Sequence, residues 1–85
     1  MDEKIKELIA IGASVAGHCQ PCLTYHVARA KELGVGAGEI REALDVGHMV
    51  ERGAMAAIKN YAKEVMGEPV SDAPVCRGST RDTGS

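Results

Sequence analysis

The hydrophobic positions at the start of the chain recur at the three- and four-residue spacing of an amphipathic helix. This pattern predicts a first helix over residues 3 to about 16, with its apolar positions at Ile5, Leu8, Ile9, Gly12, Val15 and Ala16. Asp2 suits the N-cap position, because its carboxylate can accept a hydrogen bond from the unpaired N–H groups of the first turn. Gly17 follows the last apolar position and offers a stop for the helix.

A second helix is predicted from Pro21 to about Leu33. Proline suits the first turn of a helix, where its missing N–H leaves no helical hydrogen bond unmade. The apolar stripe of this helix consists of Leu23, Val27, Ala30 and Leu33. Gly34 comes directly after the stripe, at the position where glycine commonly ends a helix.

The third predicted helix is much longer, from near Glu39 to about Met66, with Gly67 ending it. At 1.5 Å per residue it would span about 40 Å, and each of the first two helices only about half of that. The two shorter helices cannot cover all of its apolar positions, which are Ile40, Ala43, Leu44, Val46, Val50, Ala54, Ala57, Ile58, Tyr61 and Val65. We therefore expect either that another subunit covers the surplus or that the helix breaks near Gly47 or Gly53. The small residues around Gly53 would also permit a close helix crossing.

These elements predict an all-α fold, in which a helical hairpin and one long helix form a single domain over residues 1–67. A chain of 85 residues has room for no more than one domain. Residues 68–85 change character, with several Pro, Gly and Ser and few apolar side chains. This composition predicts a flexible C-terminal tail.

The composition of the apolar residues favours an oligomer. The chain has no Phe, no Trp and only 2 Tyr, so its core must be built from Ala, Ile, Val, Leu and Met. Small side chains let helices approach closely, but each of them buries little apolar area. Because a chain this short is also marginally stable alone, we expect a homo-oligomer.

Charge and hydropathy argue against several classes of partner. The net charge is −2, and acidic and basic residues are interspersed, so no basic patch or aromatic platform predicts nucleic-acid binding. No apolar run approaches the length of a membrane span. The N-terminus, Met1-Asp2-Glu3-Lys4, lacks the apolar core of a secretory signal. A cytoplasmic protein is therefore expected.

The chemistry centres on the sequence Cys19-Gln20-Pro21-Cys22. In a cytoplasmic protein, two cysteines at this spacing indicate redox or metal chemistry more often than a structural disulfide. At the start of a helix, the unpaired N–H groups and the helix dipole stabilise a thiolate, which is the reactive form of cysteine. One cysteine can attack a substrate while the other closes a disulfide, so that over-oxidation is avoided. The third cysteine, Cys76, lies in the tail and is interpreted as incidental.

An acid and a histidine are predicted to join this pair. His26 is four residues after Cys22, so both share a face of the second helix. If the first two helices form an antiparallel hairpin that turns near Gly17, residues whose numbers sum to about 33 to 35 face each other, and Glu7 and His26 satisfy this rule. A carboxylate beside an imidazole fixes its tautomer and stabilises its charged form. The sequence therefore predicts a proton relay from Glu7 through His26 to the thiols.

The residues alone leave other interpretations open. Cys19, Cys22 and His26, with His18 or Glu7, could form a tetrahedral zinc site, although no separate segment supplies the second ligand pair that such sites usually have. The two cysteines could be small core residues, and Glu7 a solvated helix charge. His18 is either a loop histidine or a modulator of Cys19. A scaffold that serves assembly without catalysis is a further alternative.

Eleven residues separate Glu7 from Cys19, two separate Cys19 from Cys22, and three separate Cys22 from His26. This spacing resembles the signature of the alkylhydroperoxidase D branch of the carboxymuconolactone decarboxylase superfamily. The resemblance covers roughly residues 3 to 66. It implies an all-helical protein that assembles as a trimer or a hexameric ring. It also implies an enzyme, acting as a thiol-dependent peroxidase or as a disulfide reductase that serves a peroxiredoxin.

Under this resemblance, Cys22 is the peroxidatic cysteine and Cys19 its proton donor and resolving partner, while His26 and Glu7 form the relay. The implied substrates are a hydroperoxide or a protein disulfide, the reductant is an external dithiol, and no cofactor is expected. The characterised peroxidases carry a histidine between the two cysteines, whereas Gln20 stands there in this chain and cannot carry a proton. The decarboxylases that give the family its name lack the cysteine pair, so lactone decarboxylation is not expected.

Overall fold

The structure, a computed structural model, describes residues 1–69 as three helices with no strand among them. Helix α1 is Glu3–Ala16, α2 is Gln20–Glu32 and α3 is Ala37–Met66. The predicted all-α class, with a hairpin followed by a long helix, is confirmed. The sequence placed the start of α2 one residue late and that of α3 two residues late.

The helix ends follow the capping chemistry that the sequence indicates. The Asp2 carboxylate accepts a hydrogen bond of 3.0 Å from the backbone N–H of Lys4, so Asp2 is the N-cap of α1. Gly34 and Gly67 have φ angles of 84° and 83°, in the left-handed region that favours glycine. Each of them follows a helix, α2 or α3, at the position where a left-handed residue lets two backbone N–H groups reach back to the last turn.

The chain divides into two compact units, Met1–His48 and Met49–Ser85. The first unit contains α1, α2 and the beginning of α3, and its core is small. Ile11 and Ala30 are fully buried, and Val35 and Ile40 nearly so. Partly buried side chains extend this core, namely Leu8, Leu23, Val27, Leu33, Ala43 and Leu44. No aromatic side chain is among these core residues.

Within the first unit, two glycines bring α1 and the start of α3 into close contact. A Cβ atom added to Gly47 would lie 2.6 Å from the carbonyl oxygen of Gly12 and 2.8 Å from the Cβ of Val15. Only glycine fits such an approach of two backbones. Of the two alternatives for the long helix, a break near Gly47 or Gly53 is excluded, because α3 is continuous through both.

The second unit, as far as Pro69, consists of the remainder of α3 and the residues that end it. Its large apolar side chains are mostly exposed, among them Val50, Met55, Ile58, Tyr61, Val65 and Met66. The surplus apolar surface that the sequence predicts for the long helix is therefore present.

None of the three helices is long and apolar enough to cross a membrane, over the residues that the structure covers. A cytoplasmic location stays a prediction. The domain boundary after residue 67 and the flexible tail over 68–85 are also predictions, since residues 70–85, with Cys76, lie outside the described part of the chain.

Candidate functional site

Cys19 and Cys22 form a disulfide at the N-terminal end of α2, with their Cα atoms 5.2 Å apart. The two sulfur-bearing residues differ in accessibility, since Cys22 is exposed and Cys19 is half-buried. The pair lies where the unpaired N–H groups of a helix favour negative charge, so a thiolate formed on reduction would be stabilised there.

The local hydrogen bonds explain how the cysteines are held. Cys19 is the N-cap of α2, and its Sγ accepts a hydrogen bond of 3.3 Å from the backbone N–H of Cys22. An N-cap side chain usually accepts from the second or third residue of the helix. Here the second residue is Pro21, which has no N–H, so Cys22 is the donor. Pro21 thus lies in the first turn of α2, as the sequence predicts.

The turn between α1 and α2 consists of only Gly17, His18 and Cys19. The N–H groups of His18 and Cys19 donate to the carbonyl oxygens of Val15 and Ser14, at 3.1 and 2.9 Å. This pattern requires a left-handed residue after the C-cap. His18 supplies it with a φ of 55°, whereas Gly17 has a φ of −88°. Gly17 was therefore correctly predicted to end the helix, but the left-handed residue is its neighbour.

We expect Gly34→Ala to destabilise the protein. The left-handed conformation costs a non-glycine residue roughly 1–2 kcal/mol, and alanine offsets part of this by removing roughly 0.5–1 kcal/mol of entropy from the unfolded chain. Because Gly34 has open space around it, the free energy of unfolding, measured in urea, should fall by about 0.5–1 kcal/mol. His18→Gly is the reverse change of backbone, but it also removes the interactions of the imidazole. An unchanged stability in Gly34→Ala would show that the left-handed backbone after α2 carries no strain.

Glu7 and His26 meet across the hairpin, as the predicted register requires. The Nδ1 atom of His26 lies 2.7 Å from Oε1 of Glu7. The acidic side chain of Glu7 is only 7% exposed, and His26 is half-buried. A buried carboxylate is costly unless it is hydrogen-bonded. The alternative of a solvated Glu7 is therefore wrong.

The contact determines which histidine nitrogen can exchange protons. An ionised carboxylate can only accept hydrogen bonds, so the Nδ1–H of His26 donates to Glu7 in that state. Nε2 is then the nitrogen available as an acceptor or, in the imidazolium, as a donor. Cys22 lies one helical turn before His26 on α2, so the imidazole of His26 and the exposed cysteine share a helix face.

Two neighbours of the site were missed from the sequence. Ser14 is buried, and its hydroxyl donates a hydrogen bond to the carbonyl oxygen of Ala10 at 2.7 Å. The carbonyl oxygen of Ser14 accepts a hydrogen bond from the backbone N–H of Cys19. Its spacing of seven residues from Glu7 could have indicated that it shares the inner face of α1. Tyr25, the other missed residue, has its ring centroid 5.0 Å from that of His26. No spacing rule indicates such a contact, because successive helix residues do not normally face each other.

The zinc interpretation finds no geometric support in residues 1–69. There, no group of three or more His, Cys, Asp and Glu side chains is arranged to hold a metal ion. His48 is exposed and Glu51 half-buried, and both lie on α3.

The fold and the site together define a class, that of small all-helical proteins with a cysteine pair at a helix N-terminus and a carboxylate–histidine pair in the same hairpin. The sequence model of the carboxymuconolactone decarboxylase family matches residues 1–66. Because the match covers most of the chain, the protein belongs to this family. The comparison with curated proteins found no match, and neither did the comparison with solved structures.

Proposed function

We propose that the protein is a thiol–disulfide oxidoreductase of the alkylhydroperoxidase D type, acting as a thiol-dependent peroxidase or as a disulfide reductase. The observation that carries this proposal is the Cys19–Cys22 disulfide at the start of α2, with Cys22 exposed and with buried Glu7 bonded to half-buried His26 in the same hairpin. Membership of the carboxymuconolactone decarboxylase family is consistent with it. The cysteine pair favours the alkylhydroperoxidase D branch over the lactone decarboxylases, which lack such a pair.

In the first step, the reduced Cys22 thiolate attacks the terminal oxygen of a hydroperoxide. The O–O bond breaks, the sulfur becomes a sulfenic acid, and the departing alkoxide takes up a proton to leave as the alcohol. The exposure of Cys22 supports its role as the attacking residue. His26 can deliver the proton through Nε2, while Glu7 stabilises the imidazolium from the Nδ1 side.

In the second step, the thiolate of Cys19 attacks the sulfur of the sulfenic acid, and the hydroxyl group leaves as water after gaining a proton. The Cα separation of 5.2 Å in the closed disulfide lies within the usual range for such bonds. An external dithiol then supplies two electrons and two protons to restore both thiols. A protein disulfide enters the same cycle when Cys22 attacks one of its sulfurs and forms a mixed disulfide.

The proposal is tested by peroxide consumption with purified, reduced protein and an excess of a small dithiol. Turnover should exceed the rate of the dithiol alone by orders of magnitude, since an activated thiolate and a positioned acid act together. A rate no greater than that of the dithiol alone, with both hydroperoxide and disulfide substrates, would support an assembly module instead. Bound zinc at one per chain that blocks thiol titration would support a metal-binding module.

The proposal includes a homo-oligomer. In each compact unit, taken by itself, large apolar side chains are about half exposed or more, such as Ile5 and Ile9 in the first and Ile58 and Val65 in the second. Water contact with that much apolar surface is unfavourable, and a second copy of the chain would remove it. Light scattering should give a mass of several chains, and a monomer at micromolar concentration would contradict this part of the proposal.

A further inference from the structure

The imidazole of His26 is fixed at one atom by its hydrogen bond to Glu7. A single hydrogen bond restrains one atom of the ring, and coupled rotation about the Cα–Cβ and Cβ–Cγ bonds can still tilt the ring. A tilt of this kind would change the direction of Nε2 without breaking the bond. A proton donor or acceptor works only over a narrow range of distance and angle, so a second contact on the ring would matter.

Tyr25 makes that second contact. Its ring meets the ring of His26 edge to face, with the centroids 5.0 Å apart and the planes at 82°. This is the arrangement that aromatic pairs prefer, because the positive edge of one ring meets the negative face of the other. Neighbouring residues on a helix point about 100° apart and do not normally touch, so the contact requires both rings to lean toward each other.

Within a single chain, Tyr25 contributes little to packing apart from its contact with His26. The residue is 61% exposed, so its ring adds little to the core of the first unit. Tyr is also rare in this chain, which has 2 Tyr and no Phe or Trp. The residue lies three positions after Cys22 and therefore on the helix side that carries the exposed sulfur.

We propose that Tyr25 is a positioning residue, which acts through His26 by restraining the tilt of its ring. Glu7 holds Nδ1 and Tyr25 holds the ring plane, so that Nε2 keeps one direction relative to the cysteine pair. This inference rests on the proposed function, because it assigns His26 the transfer of a proton. It requires the aromatic ring of Tyr25 and makes no use of its hydroxyl.

The test compares Tyr25→Phe and Tyr25→Leu, with Tyr61→Leu as the matched control. Tyr61 is equally exposed, at 60%, and lies in the second unit. Tyr25→Leu should lower kcat about two- to tenfold, which is the range expected for loss of one aromatic pair, with little change in KM. Tyr25→Phe should restore the wild-type rate. Light scattering on each variant checks that the assembly state is unchanged.

A second readout follows the ring itself. The NOE contacts of the His26 ring protons, which report the orientation of the ring, should change in Tyr25→Leu and stay as in the wild type in Tyr25→Phe, because Phe keeps the aromatic contact. A merely structural role for Tyr25 would lower the urea midpoint and leave the ring orientation and kcat unchanged. The expected result is a small drop in the urea midpoint of Tyr25→Leu from the lost aromatic pair, with the rate and the ring orientation altered only in that variant.

Several outcomes would overturn the inference. Unchanged kcat and an unchanged orientation of the His26 ring in Tyr25→Leu would do so, and so would a Tyr25→Phe variant as slow as Tyr25→Leu. An equal loss in Tyr61→Leu would point to a general effect on the protein. If the wild-type protein shows no thiol-dependent activity, the proposed function fails, whereas the NOE contacts of the His26 ring still decide whether Tyr25 positions it.

Discussion

Replacing Cys22 with serine is expected to abolish thiol-dependent turnover with hydroperoxide and disulfide substrates alike. The attacking atom must be a thiolate sulfur, and a serine hydroxyl is far too weak an acid to replace it. Because Cys22 is exposed, the substitution should leave the core of the first unit intact. Activity should fall to the rate of the small dithiol alone, measured by peroxide consumption.

Cys19→Ser should behave differently. Cys22 can still attack one equivalent of hydroperoxide, but no partner closes the disulfide, so a sulfenic acid accumulates and then over-oxidises. Mass spectrometry after a single addition of peroxide should show one added oxygen in Cys19→Ser and none in Cys22→Ser. The matched control is Cys76→Ser, which removes the third thiol of the chain and should retain full turnover.

Either of two results would contradict these roles. Full turnover in Cys22→Ser would exclude a thiol mechanism at this pair. An added oxygen in Cys22→Ser and not in Cys19→Ser would reverse the assignment and make Cys19 the attacking residue. The second result would also have a physical reason, because the Sγ of Cys19 accepts a hydrogen bond from the backbone N–H of Cys22 at the N-terminal end of α2. Such a bond would stabilise a thiolate on Cys19.

The contact between Glu7 and His26 could be predicted because hairpin geometry is simple. Once a helix stop is placed near Gly17, the register of two antiparallel helices follows from the residue numbers. The helix ends were predictable for a similar reason, since Asp2, Gly34 and Gly67 carry strong local preferences that tertiary contacts do not oppose. Local chemistry and packing agree at these positions.

The remaining features depend on packing or on strained backbone. The left-handed residue after α1 is His18 and not a glycine, and sequence rules point to Gly17 because they favour the residue without a Cβ atom. The close approach of helix backbones involves Gly12 and Gly47. The small residues around Gly53 had instead suggested a crossing later in α3. Spacing alone cannot show which small residue meets another helix.

The second large effect is expected from separating Glu7 and His26. In His26→Ala the Glu7 carboxylate stays buried without the hydrogen bond that it now makes at 2.7 Å. An unsatisfied buried group costs about 1–3 kcal/mol, and we expect the free energy of unfolding in urea to fall by that amount. Glu7→Gln should cost less, because its amide carries no charge and the half-buried His26 can turn to water.

The double variant tests whether the two residues act as a pair. Once the carboxylate is an amide, removal of His26 no longer strands a buried charge, so Glu7→Gln with His26→Ala should be more stable than the sum of the single effects predicts. A suitable control is Glu3→Gln, one turn earlier on α1. Glu3 makes an exposed ion pair with Lys6, whose loss should cost only a few tenths of a kcal/mol, roughly.

Activity should show the same coupling with a larger magnitude. A positioned acid–base group contributes about 10²- to 10⁴-fold to a rate, so His26→Ala should slow the oxidation of Cys22 by at least about 100-fold. If Glu7 acts only by holding and charging His26, Glu7→Gln in the His26→Ala background should change the rate no further. Rate losses that multiply in the double variant would mean that Glu7 reaches the reaction by a separate route. Unchanged rates in both single variants would remove the relay and leave the helix N-terminus as the source of thiol activation.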